Sequence, residues 1–174
     1  RNSSYSQVTR ILNSEHDPQR LVQEALTRAR DLIDADRGAF FKSLHGTLDH
    51  ILLGDRIWMS RFTGHDYPRT TIGTLLYEDF EELASARRAM DADIEAFADG
   101  LTPDWLARPL SWTSGLDGQT RSQPSWLLVS HLFNHQTHHR GQAHMMLTAL
   151  GRPSLALDMI YFLRTPEGRA LDEA

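Results

Sequence analysis

The stretch HLFNHQTHHRGQ, residues 131–142, places four of the chain's nine histidines within nine positions. It lies in a longer segment, 126–150, whose apolar residues recur at helical spacing and which Gly151 and Pro153 follow as a stop signal. At about 100° per residue, the four histidines share one face with the apolar stripe of this helix. We therefore expect them to point into a helical core, where side chains on facing helices can form a site.

Burying several imidazoles without partners costs free energy, and a divalent cation would satisfy them. His135 and His139 are the strongest pair, because a spacing of i and i+4 brings both rings to one ion, as in zinc-binding helices. Two ligands do not complete a site. His50 is the best candidate for a third ligand, since it lies on the apolar face of its own predicted helix, whereas His45 projects to the far side.

Other polar residues near this face have two interpretations. One interpretation gives a role in the site to His131, His138 and Gln142, either as hydrogen-bond support for the ligands or as part of a substrate pocket. The other interpretation is that they are hydrogen-bonded polar residues of an ordinary core. Asp55 lies about 140° from the third ligand and is assigned to an ion pair with a basic neighbour. For the three candidate ligands, the alternatives are a metal-free hydrogen-bonded cluster or an ion that only rigidifies the fold.

The rest of the chain predicts an all-α fold. Helical periodicity and breakers predict long helices at about 18–35, 40–61, 75–98 and 126–150, and a short C-terminal helix at 157–163. The segment between the last two long helices is dense in Gly, Pro, Ser and Thr. It is predicted to be an irregular loop, with an extended hairpin as the alternative. The expected architecture is a four-helix bundle forming one domain over residues 1–174.

Composition narrows the functional classes. The chain has 174 residues, of which 40% are hydrophobic, and a net charge of -5, so a nucleic-acid-binding surface is not expected. The absence of cysteine excludes disulfides and thiolate ligands, and any metal must therefore sit on His, Asp or Glu. No apolar run is long enough to span a membrane and no apolar signal region is visible, so the expected location is the cytoplasm.

Two segments together resemble a known family. TLDHILLGDRIWMSRFTG (47–64) and HLFNHQTHHRGQAHMMLTALG (131–151) are similar to the DinB/YfiT-like family of metal-dependent proteins. DRGAFFKSLHG (36–46) and LDMIYFL (157–163) also fit its pattern, so the resemblance covers about 36–163. It implies a four-helix bundle, often a homodimer, with one divalent metal ion. The ligands that it implies are His50, His135 and His139.

The resemblance also implies a class of reaction. The family includes S-transferases and isomerases that use low-molecular-weight thiols such as bacillithiol or mycothiol. Three imidazoles leave one coordination position open, where a water or a substrate thiol could lose its proton. Zinc is the expected ion, although nitrogen ligands also accept nickel, cobalt or manganese. Two alternatives stay open, namely a metal-dependent hydrolase and a non-catalytic metal-binding bundle with a sensing or scaffold role in stress. No catalytic residue is assigned.

Overall fold

Three long helices form most of the helical structure in the computed structural model, which describes residues 30–157 and 159–169. The long helices are α1 (Leu44–Thr63), α2 (Phe80–Asp99) and α4 (Ser125–Ala149). The short helices are α3 (Pro103–Ala107), α5 (Met159–Phe162) and α6 (Pro166–Arg169). Two antiparallel strands, β1 (Pro109–Thr113) and β2 (Thr120–Pro124), form a hairpin between α3 and α4.

Helix α1 is the central element and packs against both α4 and α2. It begins after Ser43, whose hydroxyl accepts a hydrogen bond from the Gly46 N–H at 3.0 Å, and it ends at Gly64, which has a left-handed φ of 77°. Both ends follow ordinary capping chemistry. Because α1 has neighbours on two sides, most of its residues are buried, including polar ones such as Asp49 and Asp55.

Helix α2 begins five residues later than the predicted start at 75. Asp49 of α1 explains the difference, because its carboxylate accepts hydrogen bonds from the backbone N–H groups of Leu76 and Tyr77 at 2.9 to 3.1 Å. These donors are therefore held by another helix. Asp79 then caps α2 by accepting from the N–H groups of its first turn.

The main core lies where α1, α2 and the first half of α4 meet. Phe62 of α1 stacks on Phe97 of α2 with ring centroids 5.3 Å apart, and Trp105 of α3 contacts both rings edge-on. The buried residues of this core are Leu52, Trp58, Met59, Phe62, Leu83, Met90, Ile94, Leu128, Val129 and Leu132.

The hairpin corrects the predicted irregular loop and the all-α fold class. Trp112 of β1 packs against Trp58 at 5.3 Å and donates from its indole N–H to Gln123 of β2 at 2.6 Å. Arg121 and Gln123 occupy the half-buried positions of β2. Since polar residues fill these inward positions, the strand lacks the apolar alternation from which hairpins are predicted.

The predicted first helix, 18–35, lies mostly outside the described residues, and its last part, 30–34, is helical. Residues 30–34 contact the rest of the fold through two side-chain interactions. Arg30 forms an ion pair with Asp79 at 2.6 Å, and the Asp34 carboxylate accepts a hydrogen bond from the His45 ring at 2.8 Å. At the other end, α5 lies inside the predicted range 157–163, and α6 was not predicted. None of the helices in the described ranges combines the length and apolar character needed to cross a bilayer.

Candidate metal centre

Three histidine rings meet where α1 packs on α4. His50 comes from α1, and His135 and His139 lie one turn apart on α4. Each ring offers one nitrogen, and the three nitrogens lie within 4.8 Å of one another. The Nε2 atoms of His50 and His135 are 3.2 Å apart. Two nitrogens bound tetrahedrally to one zinc ion at about 2.0 to 2.1 Å would be roughly 3.3 Å apart, so this spacing suits a shared ion.

Gln142 orients the most deeply buried of the three rings. His139 is 8% exposed, and its Nδ1–H donates to the Gln142 Oε1 at 2.8 Å, which leaves the lone pair on Nε2. Gln142 is held in turn, because its Nε2 donates to His138 at 3.1 Å. Such outer hydrogen bonds fix the tautomer and direction of metal-binding histidines.

Two residues outside the ligand set shape the space around the rings. The His135 ring lies directly against the backbone of Gly54, where an added Cβ would be 2.7 Å from Cε1 and 3.1 Å from Nδ1. Phe41 stacks on the His50 ring at 3.7 Å between centroids and contacts His139 edge-on at 5.6 Å. The glycine thus makes room for the His135 ring, and the phenyl ring covers the other two rings.

We expect Gly54→Ala to weaken binding of zinc at least tenfold, because the new methyl group would displace the His135 ring. The affinity is measurable by competition with a zinc chelator. Gly141→Ala is the matched control, since Gly141 lies on the same helix as two of the three histidines and an added Cβ there meets nothing within 4 Å. That control should bind zinc normally and be slightly more stable. Equal zinc affinities in both variants would contradict the role of Gly54.

The protonation of two of the three rings suits a metal ion. Burial, and secondarily the neighbouring histidines, lower the pKa of His50 and of His135 to about 4. Both rings are therefore neutral at pH 7, as metal ligation requires. Their Nδ1 atoms are buried and have no hydrogen-bond partner among the described residues. A set of three imidazole nitrogens in this arrangement fits a borderline divalent ion such as zinc.

The sequence model of the DinB family matches residues 9–169, an interval that contains the three long helices and all three histidines of the cluster. The chain belongs to the DinB family. The predicted family is thereby confirmed, and the match extends beyond the range 36–163 that carried the resemblance. Neither a search of curated proteins nor a search of solved structures found a match.

In this DinB chain, the remaining predicted site residues do not all point into the core. His131 and His138 are exposed, so the expectation that all four histidines of 131–142 are directed inward is wrong for two of them. His131 contacts Trp58 at 5.0 Å and His135 at 6.0 Å between ring centroids. His138 and Gln142 contact each other beside the cluster. His45 lies elsewhere, between Asp34 and the Tyr77 carbonyl.

A buried polar network beside the cluster was only partly predicted. Asp55 is fully buried and accepts hydrogen bonds from Arg87 of α2 and, at 3.0 Å, from Gln136 of α4. Burial raises the pKa of Asp55 even though the Arg87 guanidinium opposes the shift. The predicted ion pair of Asp55 with a basic residue is present, and its partner is Arg87. The role of Gln136 could not be predicted from the sequence because its burial depends on how α4 packs against α1. Gly54 offered a sequence signal for a different contact, since a glycine inside a helix often marks a close approach of another side chain, which here is the His135 ring.

Proposed function

We propose that this DinB protein binds one divalent metal ion through His50, His135 and His139 and transfers a low-molecular-weight thiol to an electrophilic substrate. The convergence of three imidazoles, two of them kept neutral by burial, supports the metal site. Zinc is the proposed ion, and nickel, cobalt and manganese also suit nitrogen ligands.

The chain's own residues would prepare the site for this reaction. Gln142 holds the His139 ring so that Nε2 is available, and Phe41 covers the other side of the His50 ring. When bound, the ion would supply Lewis acidity and lower the pKa of a thiol or water in the remaining position. The sequence contains no cysteine, so the thiol must come from the small molecule. Its sulfur would form the new bond to carbon while the leaving group departs and the thiol proton passes to solvent.

Two features of the assembly belong to the same proposal. The four-helix bundle predicted from the sequence belongs to this proposal, and two such bundles would form a homodimer. Exposed apolar side chains on α4, among them Trp126, Phe133 and Met145, offer surface for these contacts. The cytoplasmic location and the single domain stay predictions from the sequence.

The proposal is tested with protein purified without a metal-affinity tag. We expect close to one equivalent of a divalent metal by plasma mass spectrometry, retained after dialysis. We further expect that cobalt-substituted protein develops a thiolate-to-cobalt absorption band with 2-mercaptoethanol and none with ethylene glycol. A metal-free protein that takes up no zinc would overturn the metal site. A metal-loaded protein without the band would overturn the thiol chemistry and favour the hydrolase or the non-catalytic sensing bundle.

A further inference from the structure

The guanidinium of Arg61 lies against two indole rings at the end of α1, and these rings also contact each other at 5.3 Å between centroids. Its Cζ lies 4.4 Å from the Trp58 ring centroid and 4.5 Å from that of Trp112. One of its nitrogens also donates to the Thr113 carbonyl of β1 at 3.1 Å. These contacts fix a half-buried guanidinium in one orientation, and a stacked arginine of this kind is suited to binding a carboxylate or phosphate.

Arg61 has no ion-pair partner within the described ranges of the chain, unlike its neighbour Arg121. Arg121 lies over the same Trp112 ring at 5.7 Å, but its guanidinium is bound by both oxygens of Asp117. Burial lowers the pKa of Arg61, and the positive charge of Arg69 lowers it further. Arg61 is therefore a positively charged side chain that its neighbours hold in place, and no carboxylate of the described residues pairs with it.

This cation lies in line with the metal centre. Arg61 lies eleven residues after His50, which returns it to within about 20° on the same face of α1. Ring contacts connect the two places, since His131 lies 6.0 Å from His135 and 5.0 Å from Trp58. Eleven residues rise about 16 Å. The long side chain spans part of that rise, because helical side chains lean towards the N-terminus, and the remaining gap is on the order of 10 Å.

We propose that Arg61 binds the anionic group of the thiol substrate, which defines the substrate class as elongated thiols with a carboxylate or phosphate on the order of 10 Å from the sulfur. This inference rests on the proposed function, because the metal centre must hold the sulfur end. The exposed ring of His131 lies between the two ends and offers a polar contact to the middle of such a molecule.

The test uses cobalt-substituted protein and pairs of straight-chain thiols that differ only in the far end, a carboxylic acid or an alcohol. For chains of about eight carbons, which span roughly 10 Å, we expect the acid to bind about tenfold more tightly than the alcohol. With two or three carbons, no such preference is expected. Affinity is measured from the thiolate-to-cobalt band.

Arg61→Gln should abolish the preference for the long acid, and Arg61→Met serves as a second variant that keeps the packed side-chain stem. Arg121→Gln is the matched control, because Arg121 shares the Trp112 ring but is neutralised by Asp117, and it should keep the preference. Metal content and melting temperature of each variant report whether the fold is intact.

The outcomes separate this inference from the proposed function. If acids and alcohols of each length bind equally to the parent protein, or if the preference persists in both Arg61 variants, the role of Arg61 is overturned while thiol binding stands. If no thiol of either series produces the band, the thiol chemistry and this inference fail together.

Discussion

His139→Ala is expected to lower the zinc affinity of this protein by more than about 100-fold. Loss of an outer hydrogen-bond partner alone costs 10- to 100-fold in metal affinity, and this variant removes a ligand itself. His139 is also the ring of the cluster whose Nδ1–H donates to Gln142, which leaves its Nε2 to face the other two histidines. The variant would leave His50 and His135, whose Nε2 atoms are 3.2 Å apart, as the only two nitrogens of the described cluster.

The measurement is a competition titration with a zinc chelator at pH 7, together with metal content after dialysis. At this pH the His50 and His135 rings are neutral because their pKa is about 4, so protons do not compete for the nitrogens. His65→Ala is the control, since this exposed loop histidine lies against Tyr67 and outside the cluster. Unchanged zinc affinity in His139→Ala would remove this ring from the ligand set.

Asp55→Asn is expected to lower the free energy of unfolding of the metal-free protein by about 3 kcal/mol. Asp55 is fully buried and is the shared acceptor for Arg87 of α2 and Gln136 of α4. Asparagine would leave the guanidinium, whose side chain is only 24% exposed, without its buried counter-charge. Breaking a buried pair from one side is costly because the other charge stays buried.

Urea unfolding of the variants measures this loss. Asp91→Asn is the matched control, because Asp91 pairs with the same Arg87 from a side chain that is 57% exposed, and its loss should change stability by less than about 1 kcal/mol. The double variant Asp55→Leu with Arg87→Met should recover most of the stability, since apolar side chains can replace a buried ion pair. A similar, small loss in both Asp55→Asn and Asp91→Asn would show that the buried pair contributes no more than a surface pair.

The parts of the fold that local sequence controls were well predicted. Helix α4 was expected at 126–150 and spans Ser125–Ala149, because its apolar spacing is regular and Gly151 follows it with a left-handed φ of 80°. The start of α2 was misplaced because a distant carboxylate, Asp49, binds the N–H groups before it. No pattern near residue 75 carries that information.

In the candidate site, too, features set by spacing within one helix could be predicted, whereas contacts between helices could not. The His135 and His139 pair follows from a spacing of four residues on one helix, and His50 follows from its apolar face. Contacts between elements could not be predicted in this way. The space that Gly54 leaves for an imidazole and the link from Gln136 to Asp55 depend on the distance and rotation between α1 and α4.

The unequal support of the three rings affects how firmly each ring would be directed towards an ion. Gln142 fixes the ring of His139, whereas the Nδ1 atoms of His50 and His135 have no such partner within the described part of the chain. These two rings are positioned by packing against Gly54 and Phe41 and not by an outer hydrogen bond, so their directions towards a bound ion would be less firmly set than that of His139. Since nitrogen ligands alone select weakly among divalent ions, the ion that such a centre would take up would depend on the free metal concentrations around it and on the Irving–Williams order.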